Sequence, residues 1–326
     1  MNVVLPTVND PLGEILHFLR MSGNFYCHSE LSAPWAVEMP ALRDFMMLHV
    51  VTSGTCCLEV NNRDVILQPG DLALLPRCEG HQLASAPGMA GVKLFDTSRQ
   101  QLSDRYEILK LGGGGKPSTL LCGVFQFDHP AARHLVTLLP GVIVVEAWNS
   151  PNADWIQSTV RTIGSEAREL RPGGETIITR LADILVIHAI RSWIAMDPTA
   201  QTGWFGALRD RRLGPVIAQI HRDPYRAWTL DSLAAEAAMS RSAFASSFTE
   251  RVGEPAMHYV TRWKMHTAVT WLSEEDVGVV ELARRLGYES EAAFSRAFKR
   301  FVGVSPGSMR KRKQQTGLAA EQQLSR

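Results

Sequence analysis

Residues 281–306 read ELARRLGYESEAAFSRAFKRFVGVSP, and the fold follows from this stretch. Leu282-Ala283 belongs to a short helical segment that Leu286, Gly287 and Tyr288 interrupt. Ser290 is a natural N-cap, because its hydroxyl accepts an amide proton from the turn that follows. Beyond it Phe294 and Phe298 stand four residues apart, so both rings share one face of a second helix and leave the opposite side polar. Two short helices with a tight turn between them and one polar outer face describe a helix-turn-helix. The pattern occurs twice. Leu233-Ala234 precedes Leu282-Ala283 by 49 residues, while Phe244, Phe248 and Val252-Gly253 precede Phe294, Phe298 and Val302-Gly303 by 50. Ser240 is the matching N-cap, and Met257 to Leu272 reads as a longer helix joining the copies. A doubled unit predicts a bipartite reader of double-stranded DNA. Charge agrees: residues 1–207 carry a net −5 and residues 208–326 a net +6, which suits a polyanionic partner for the back half.

Toward the N-terminus the pattern changes to short strands. Phe45 to Val51 and Thr55 to Val60 are apolar runs separated by Thr52-Ser53-Gly54, a hairpin signal. Asn61-Asn62 turns into Val65-Ile66-Leu67, and Pro69-Gly70-Asp71 into Leu72 to Leu75, which Pro76 ends. Thr119 to Phe127 reads as a further strand and Val142 to Val145 as another. This predicts an antiparallel barrel or sandwich. Residues 86–118 read as loop. Their run Gly112 to Gly115 has no GK[ST] after it, so it is read as a flexible loop and not a phosphate cradle. From 152 to 196 the period is helical. Trp155, Thr159, Ile163 and Ala167 form one stripe, and Ile177, Leu181, Ile184, Leu185, His188 and Trp193 another. The two helices make a hairpin whose apolar faces need the barrel or a second copy, so a homodimer held through Leu181 and Leu185 is expected. Asp197 to Gly206 reads as a linker.

With 326 residues, 45% hydrophobic and 21% charged, the chain is too long for one ordinary domain and too apolar to be mainly disordered. The longest apolar stretch, Leu181 to Met196, is broken by Asp183, His188 and Arg191, so no membrane span is expected. MNVVLPTVNDPLGEIL lacks the basic start of a secretory signal. Cys27, Cys56, Cys57, Cys78 and Cys122 are too sparse for a disulfide framework, and a cytoplasmic location is expected.

At 281–306 the chain closely resembles the AraC/XylS family of transcription regulators. WTLDSLAAEAAMSRSAFASSFTERVGEP (228–255) matches in pattern, and RLGPVIAQIHRDP (212–224) resembles the helix that opens the family's DNA-binding domain. The resemblance implies that the second helix of each unit enters a major groove, with RNA polymerase as a partner and activation as the default. The outward positions are Ser242, Ala245, Ser246 and Thr249 in the first unit, and Glu291, Ala292, Ser295, Arg296 and Lys299 in the second. Arg296 is the best candidate for a bidentate contact with guanine, while Lys299 and Arg300 suit phosphates. The first helix departs from the family in having a small, uncharged outer face.

The front half resembles the cupin-type sensor domain fused to such readers. Pro69-Gly70-Asp71, Leu74-Leu75-Pro76, His81, Leu121-Cys122-Gly123, Phe125 and the Ala33 to Trp35 segment after Cys27 carry that likeness. Cupin enzymes show H-x-H, a following Glu and a later His. Here His49 stands alone, Val51 occupies the second place and His81 matches the later one. The set is incomplete, so the chain is expected not to be an enzyme; the alternative is a metal-dependent cupin enzyme fused to a DNA-binding module. Cys27, His49, His81 and Cys122 remain as the sensor candidates, for a small-molecule or oxidant effector. They could be packing residues, a thiol sensor sharpened by a neighbouring imidazolium, or a tetrahedral metal site. Cys56-Cys57 alternate faces, and Cys78, beside Arg77, reads as exposed. No cofactor beyond a metal at that cluster is expected.

The expected architecture is α+β. A cupin-like antiparallel β-barrel over 1–147 and a helical hairpin over 148–197 are followed by a linker over 198–207. An all-α double helix-turn-helix DNA-binding domain then spans 208–313. The tail after 313 is expected to be disordered, and Arg310-Lys311-Arg312-Lys313 to clamp phosphate.

Overall fold

The computed structural model describes residues 21–42, 44–127, 136–147, 153–169, 171–274 and 277–309. The basic run from Arg310 and the tail after it lie outside these residues. The described residues divide into two compact units, 21–196 and 197–309.

The first unit is built on two sheets. Its strands are β1 (Met21–Ser32), β2 (Ala36–Met39), β3 (Phe45–Ser53), β4 (Cys56–Val60), β5 (Arg63–Leu67), β6 (Leu72–Leu75), β7 (His81–Ala84), β8 (Val92–Lys93), β9 (Arg99–Ser103), β10 (Tyr106–Gly112), β11 (Pro117–Phe127) and β12 (Ile143–Val145). One sheet has the order β12-β6-β3-β11-β1-β10-β9 and the other β5-β4-β7-β2-β8. Pairing is antiparallel except for β1 with β10 and β2 with β8. Inward residues such as Trp35, Val37, Met47, Val51, Leu58 and Leu120 fill the space between the sheets. The β4–β5 hairpin turns on Asn61 (φ 52) and Asn62 (φ 58), where Asn tolerates the left-handed backbone that a two-residue hairpin needs.

One expectation fails here. Residues 86–118 are not loop: they supply β8, β9 and β10, and β10 lies beside β1 in the larger sheet. Cys27 lies inside β1. The glycine run does form a connection, but one clasped to the chain. Gly113 N–H donates to Ser32 O (2.9 Å) and Gly115 N–H to Ala33 O (2.7 Å). A side-chain carbon on Gly112 would collide with the Ser32 carbonyl.

Helices α1 (Ala153–Glu169) and α2 (Gly174–Met196) pair with each other; α1 packs on β3, and α2 on β1, β6 and β12. The apolar positions of α2 split between two sides. Ile178, Ala182, Leu185, Val186, Ala189 and Trp193 are buried, whereas Ile177 and Ile184 are exposed, as is Trp155 of α1. The exposed isoleucines leave an apolar strip outside the unit's own core. Leu185, expected at a dimer face, is wholly buried within the unit.

The second unit opens with a correction. Residues 198–207, expected as a linker, form a 3-10 turn (Pro198–Gln201) and most of α3 (Gly203–Arg209). Proline and glycine give this segment a loop signature, but Trp204, Phe205, Ala207 and Leu208 bury themselves against α4 (Leu213–Arg222) and α6 (Arg241–Val252). Trp204 Nε1–H donates to Tyr259 Oη (3.1 Å), which shares a hydrogen bond with His221 Nε2 (2.7 Å).

The two helix-turn-helix units are α5 (Leu230–Glu236) with α6, and α8 (Val279–Arg285) with α9 (Glu291–Val302), joined by α7 (Ala256–Glu274). Both predicted caps form: Ser240 Oγ accepts from Ala243 N–H (3.3 Å) and Ser290 Oγ from Ala293 N–H (3.1 Å). Both second helices end on a left-handed glycine, Gly253 and Gly303, each at φ 86. Phe244, Phe248, Phe294 and Phe298 are all fully buried. Lys264 Nζ donates to Leu286 O (3.0 Å), which fastens α7 to the end of α8.

Candidate functional site

The outward positions implied by the resemblance lie on the solvent side of their helices or at its margin. Ser242, Ser246 and Thr249 on α6 are exposed and Ala245 is half-buried. On α9, Glu291, Ala292, Arg296, Lys299 and Arg300 are exposed and Ser295 is half-buried. The cations of this unit differ in one respect. Arg284 forks onto Glu281 and Arg285 donates one bond to it (2.9 Å each), pulling its carboxyl down to about 2. Arg251 meets Asp210, and Arg262 meets Glu254. Arg296, Lys299 and Arg300 have no ion-pair partner among the described residues, so their charge is free for an external anion.

Sequence reasoning missed Arg241. It opens α6, is exposed, and is held only loosely by Asp231 (3.4 Å). It adds a cation to a helix read as uncharged, and its place directly after the Ser240 cap was the available signal.

Arg296→Ala is expected to weaken binding to a selected site by about 1–3 kcal/mol and to relax preference at one base position. Equal weakening on selected and random DNA would make Arg296 a phosphate contact instead.

In the barrel the four sensor candidates meet. Cys27, Cys122 and His49 occupy one register row across β1, β11 and β3, with Glu107 of β10 beyond Cys27. Three strands in register put their side chains on one face, here the interior. His81 reaches in from β7 of the other sheet. His49 Nδ1 lies 3.0 Å from Cys122 Sγ, and His49 Nε2 lies 2.7 Å from His81 Nε2. Cys27 Sγ approaches Ser29 Oγ at 3.6 Å. His49 is completely buried, and the Nδ1 of His81 is buried without a hydrogen-bond partner.

The electrostatics overturn the imidazolium expectation. Burial drives the His49 pKa well below its usual value and that of His81 down to about 4. Burial also pushes the Cys27 thiol up to about 12 and the Cys122 thiol well above its ordinary value. Neutral rings therefore face protonated thiols. One arrangement satisfies both contacts: Cys122 S–H donates to His49 Nδ1, and His49 Nε2–H donates to His81 Nε2.

These donors do not fit a cupin metal set. His49 spends both nitrogens on its neighbours, which strings the donors in a line. Among the described residues, three donor atoms come within 4.8 Å of one another only at Cys57, Glu59 and Asp64. As expected, Cys56 faces the barrel core and Cys57 a small separate cluster with Ala36 and Ala84. Cys78 is not exposed: it is buried, its Sγ donates to Pro40 O (3.3 Å), and burial raises its pKa despite Arg77 next to it.

Comparison with known proteins gives matches over almost the whole chain. A cupin family profile matches residues 10–195 and a helix-turn-helix domain profile residues 233–312. An AraC-like transcription regulator of Streptomyces lividans is 33% identical, over 93% of this chain and 98% of its own length. The HTH-type transcriptional regulator AlkR of Acinetobacter baylyi is 29% identical, over 91% and 97%. The RCS-specific HTH-type transcriptional activator RclR of Escherichia coli is 28% identical, over 94% and 99%. No described helix is long and apolar enough to cross a membrane.

Proposed function

Because the chain belongs to the AraC-like transcription regulators that carry a cupin domain, we propose that it is a cytoplasmic, homodimeric activator whose barrel receives the signal at Cys27, His49, His81 and Cys122. DNA binding and transcription regulation come with the family. Activation is supported by one relative's name, and RNA polymerase is then the partner at the promoter. The barrel acts as a sensor and not as an enzyme; the reading assigns it no resident cofactor.

One observation carries the sensing part: a hydrogen-bonded line of buried groups, Cys122–His49–His81, inside the barrel. Such a line is costly to bury and leaves one ring nitrogen unsatisfied, so packing alone is a poor reason for it. A small molecule or oxidant that engages a thiol or a ring breaks the line. β1 carries the change outward, because Cys27 faces the interior while its neighbour Tyr26, fully buried, faces the opposite side of the sheet on which α2 packs. The signal then shifts the population between DNA-binding arrangements.

Cys122→Ser and His49→Asn are expected to abolish or lock the transcriptional response while DNA binding persists. A reporter at a promoter selected by the protein measures this. A normal response in both variants to every inducer of the wild type would make the line a packing feature.

The homodimer reading rests on the exposed side of the hairpin. Ile177 and Ile184 are 42% and 44% exposed, and Leu181 lies between them on the same helix face. Ile177→Asp with Ile184→Asp is expected to give folded monomers in sedimentation. Leu185→Asp, which puts a charge in the core, is expected to unfold the first unit instead. A monomeric wild type at micromolar concentration would refute the dimer.

A further inference from the structure

Successive residues of β4 point to opposite sides of the smaller sheet. Cys56, Leu58 and Val60 enter the barrel core, so Cys57 and Glu59 share the outer face. Register brings Asp64 of β5 to that face, directly opposite Glu59. One ligand atom from each of Cys57, Glu59 and Asp64 lies within 4.8 Å of the other two.

Three features of this trio point to a cation. Like charges set opposite each other on paired strands repel, yet neither Glu59 nor Asp64 has an ion-pair partner among the described residues. Cys57 is only 1% exposed, packed with Ala36, Ala84 and Met89. Its sulfur is aimed at the two carboxylates and has no hydrogen-bond partner among the described residues. Glu59 is held in place from behind: Gly88 N–H donates to Oε1 (2.9 Å) and Gln82 Nε2–H to Oε2 (3.1 Å). Each oxygen keeps a lone pair, and fixing a carboxylate through its neighbours is how proteins orient a metal ligand. Asp64 is exposed, so the trio opens to solvent on that side.

We propose that Cys57, Glu59 and Asp64 form a binding site for a zinc-class divalent cation, separate from the buried Cys122–His49–His81 line. The donors select the ion. A sulfur ligand disfavours Mg²⁺ and Ca²⁺, whereas Zn²⁺ and Co²⁺ take thiolate and carboxylate together. As the sulfur–metal bond forms, the thiol proton leaves to solvent. A tetrahedral ion with bonds of about 2.0–2.3 Å spaces its donors about 3.3–3.8 Å apart. Asp64, on the exposed side, is the ligand that moves to meet that spacing, and water fills the fourth position. The ion is exchangeable and ties β5 to β4; nothing in the sensor reading depends on it.

The test adds Co²⁺ to the full chain, kept reduced and freed of metal with a chelator. Thiolate-to-cobalt absorption in the near ultraviolet is expected, and Zn²⁺ but not Mg²⁺ is expected to remove it. Cys57→Ala is expected to lose the absorption, and Cys122→Ser to keep it. Asp64→Asn, at an exposed position, is expected to weaken binding about tenfold or more, and it decides alone should the Cys57 variant unfold. The proposal is overturned if about 1 mM Co²⁺ gives no such absorption. It is also overturned if the absorption survives Cys57→Ala, or if Asp64→Asn binds as tightly as the wild type. Absorption lost in Cys122→Ser would move the ion to the buried line and overturn it as well.

Discussion

A DNA-binding fragment that begins at residue 208 is expected to be largely unfolded, whereas one that begins at 197 folds and binds DNA. The difference is α3. Its Trp204 and Phe205 are 8% and 4% exposed, and α3 packs against α4 and against α6, the second helix of the first reader. Removing a buried aromatic ring costs about 3–5 kcal/mol. Losing two approaches the whole stability of a small domain, about 5–15 kcal/mol. Truncation also strips Tyr259 of the indole N–H it accepts, in a place where the hydroxyl is buried. Circular dichroism melting of the two fragments measures the effect. Equal melting temperatures would show that α3 is a passive connector.

Phe298→Ala is expected to destabilise the second reader by about 3–5 kcal/mol. The ring is fully buried, 5.6 Å from Phe294 between centroids, in a core that includes Met265, Leu272 and Leu282. That core is small, so little can collapse into the cavity left behind. The first reader has its own pair, Phe244 and Phe248, and is expected to stay folded, so unfolding should split into two transitions. Arg300→Ala, exposed on the same helix, is the control, with a change within about 0.5 kcal/mol. A single transition at the wild-type midpoint would contradict the core assignment.

How much of this was legible in the sequence differs between the units, for physical reasons. The readers use local contacts. Ser240 and Ser290 cap helices three residues away, and phenylalanines four apart name the buried face, so the 50-residue repeat exposed both units. The barrel depends on distant pairings. β1 is held by β10 and β11, 80 to 106 residues further on, and no local period announces such partners. β9, with the sequence RQQLS, is a polar edge strand that reads as loop. The cluster was half legible. Likeness to a cupin sensor brought Cys27, His49, His81 and Cys122 together, but not their order along a line. Nor could it show that burial keeps both rings neutral. The α2 stripe was read as one face because Ile184 and Leu185 are adjacent apolar residues; only the barrel's outer surface separates them.

The central claim is that two capped helix-turn-helix units read DNA together, with Arg296, Lys299 and Arg300 supplying free charge. Hydroxyl-radical footprinting of the intact protein, on sequences it selects from a random pool and over a salt series, tests it most directly. The account predicts two protected patches on one face of the duplex, about one helical turn or 10 bp apart. Affinity should fall steeply as salt rises, because each phosphate neutralised releases counterions. A single protected patch, or protection that salt leaves unchanged, would contradict it.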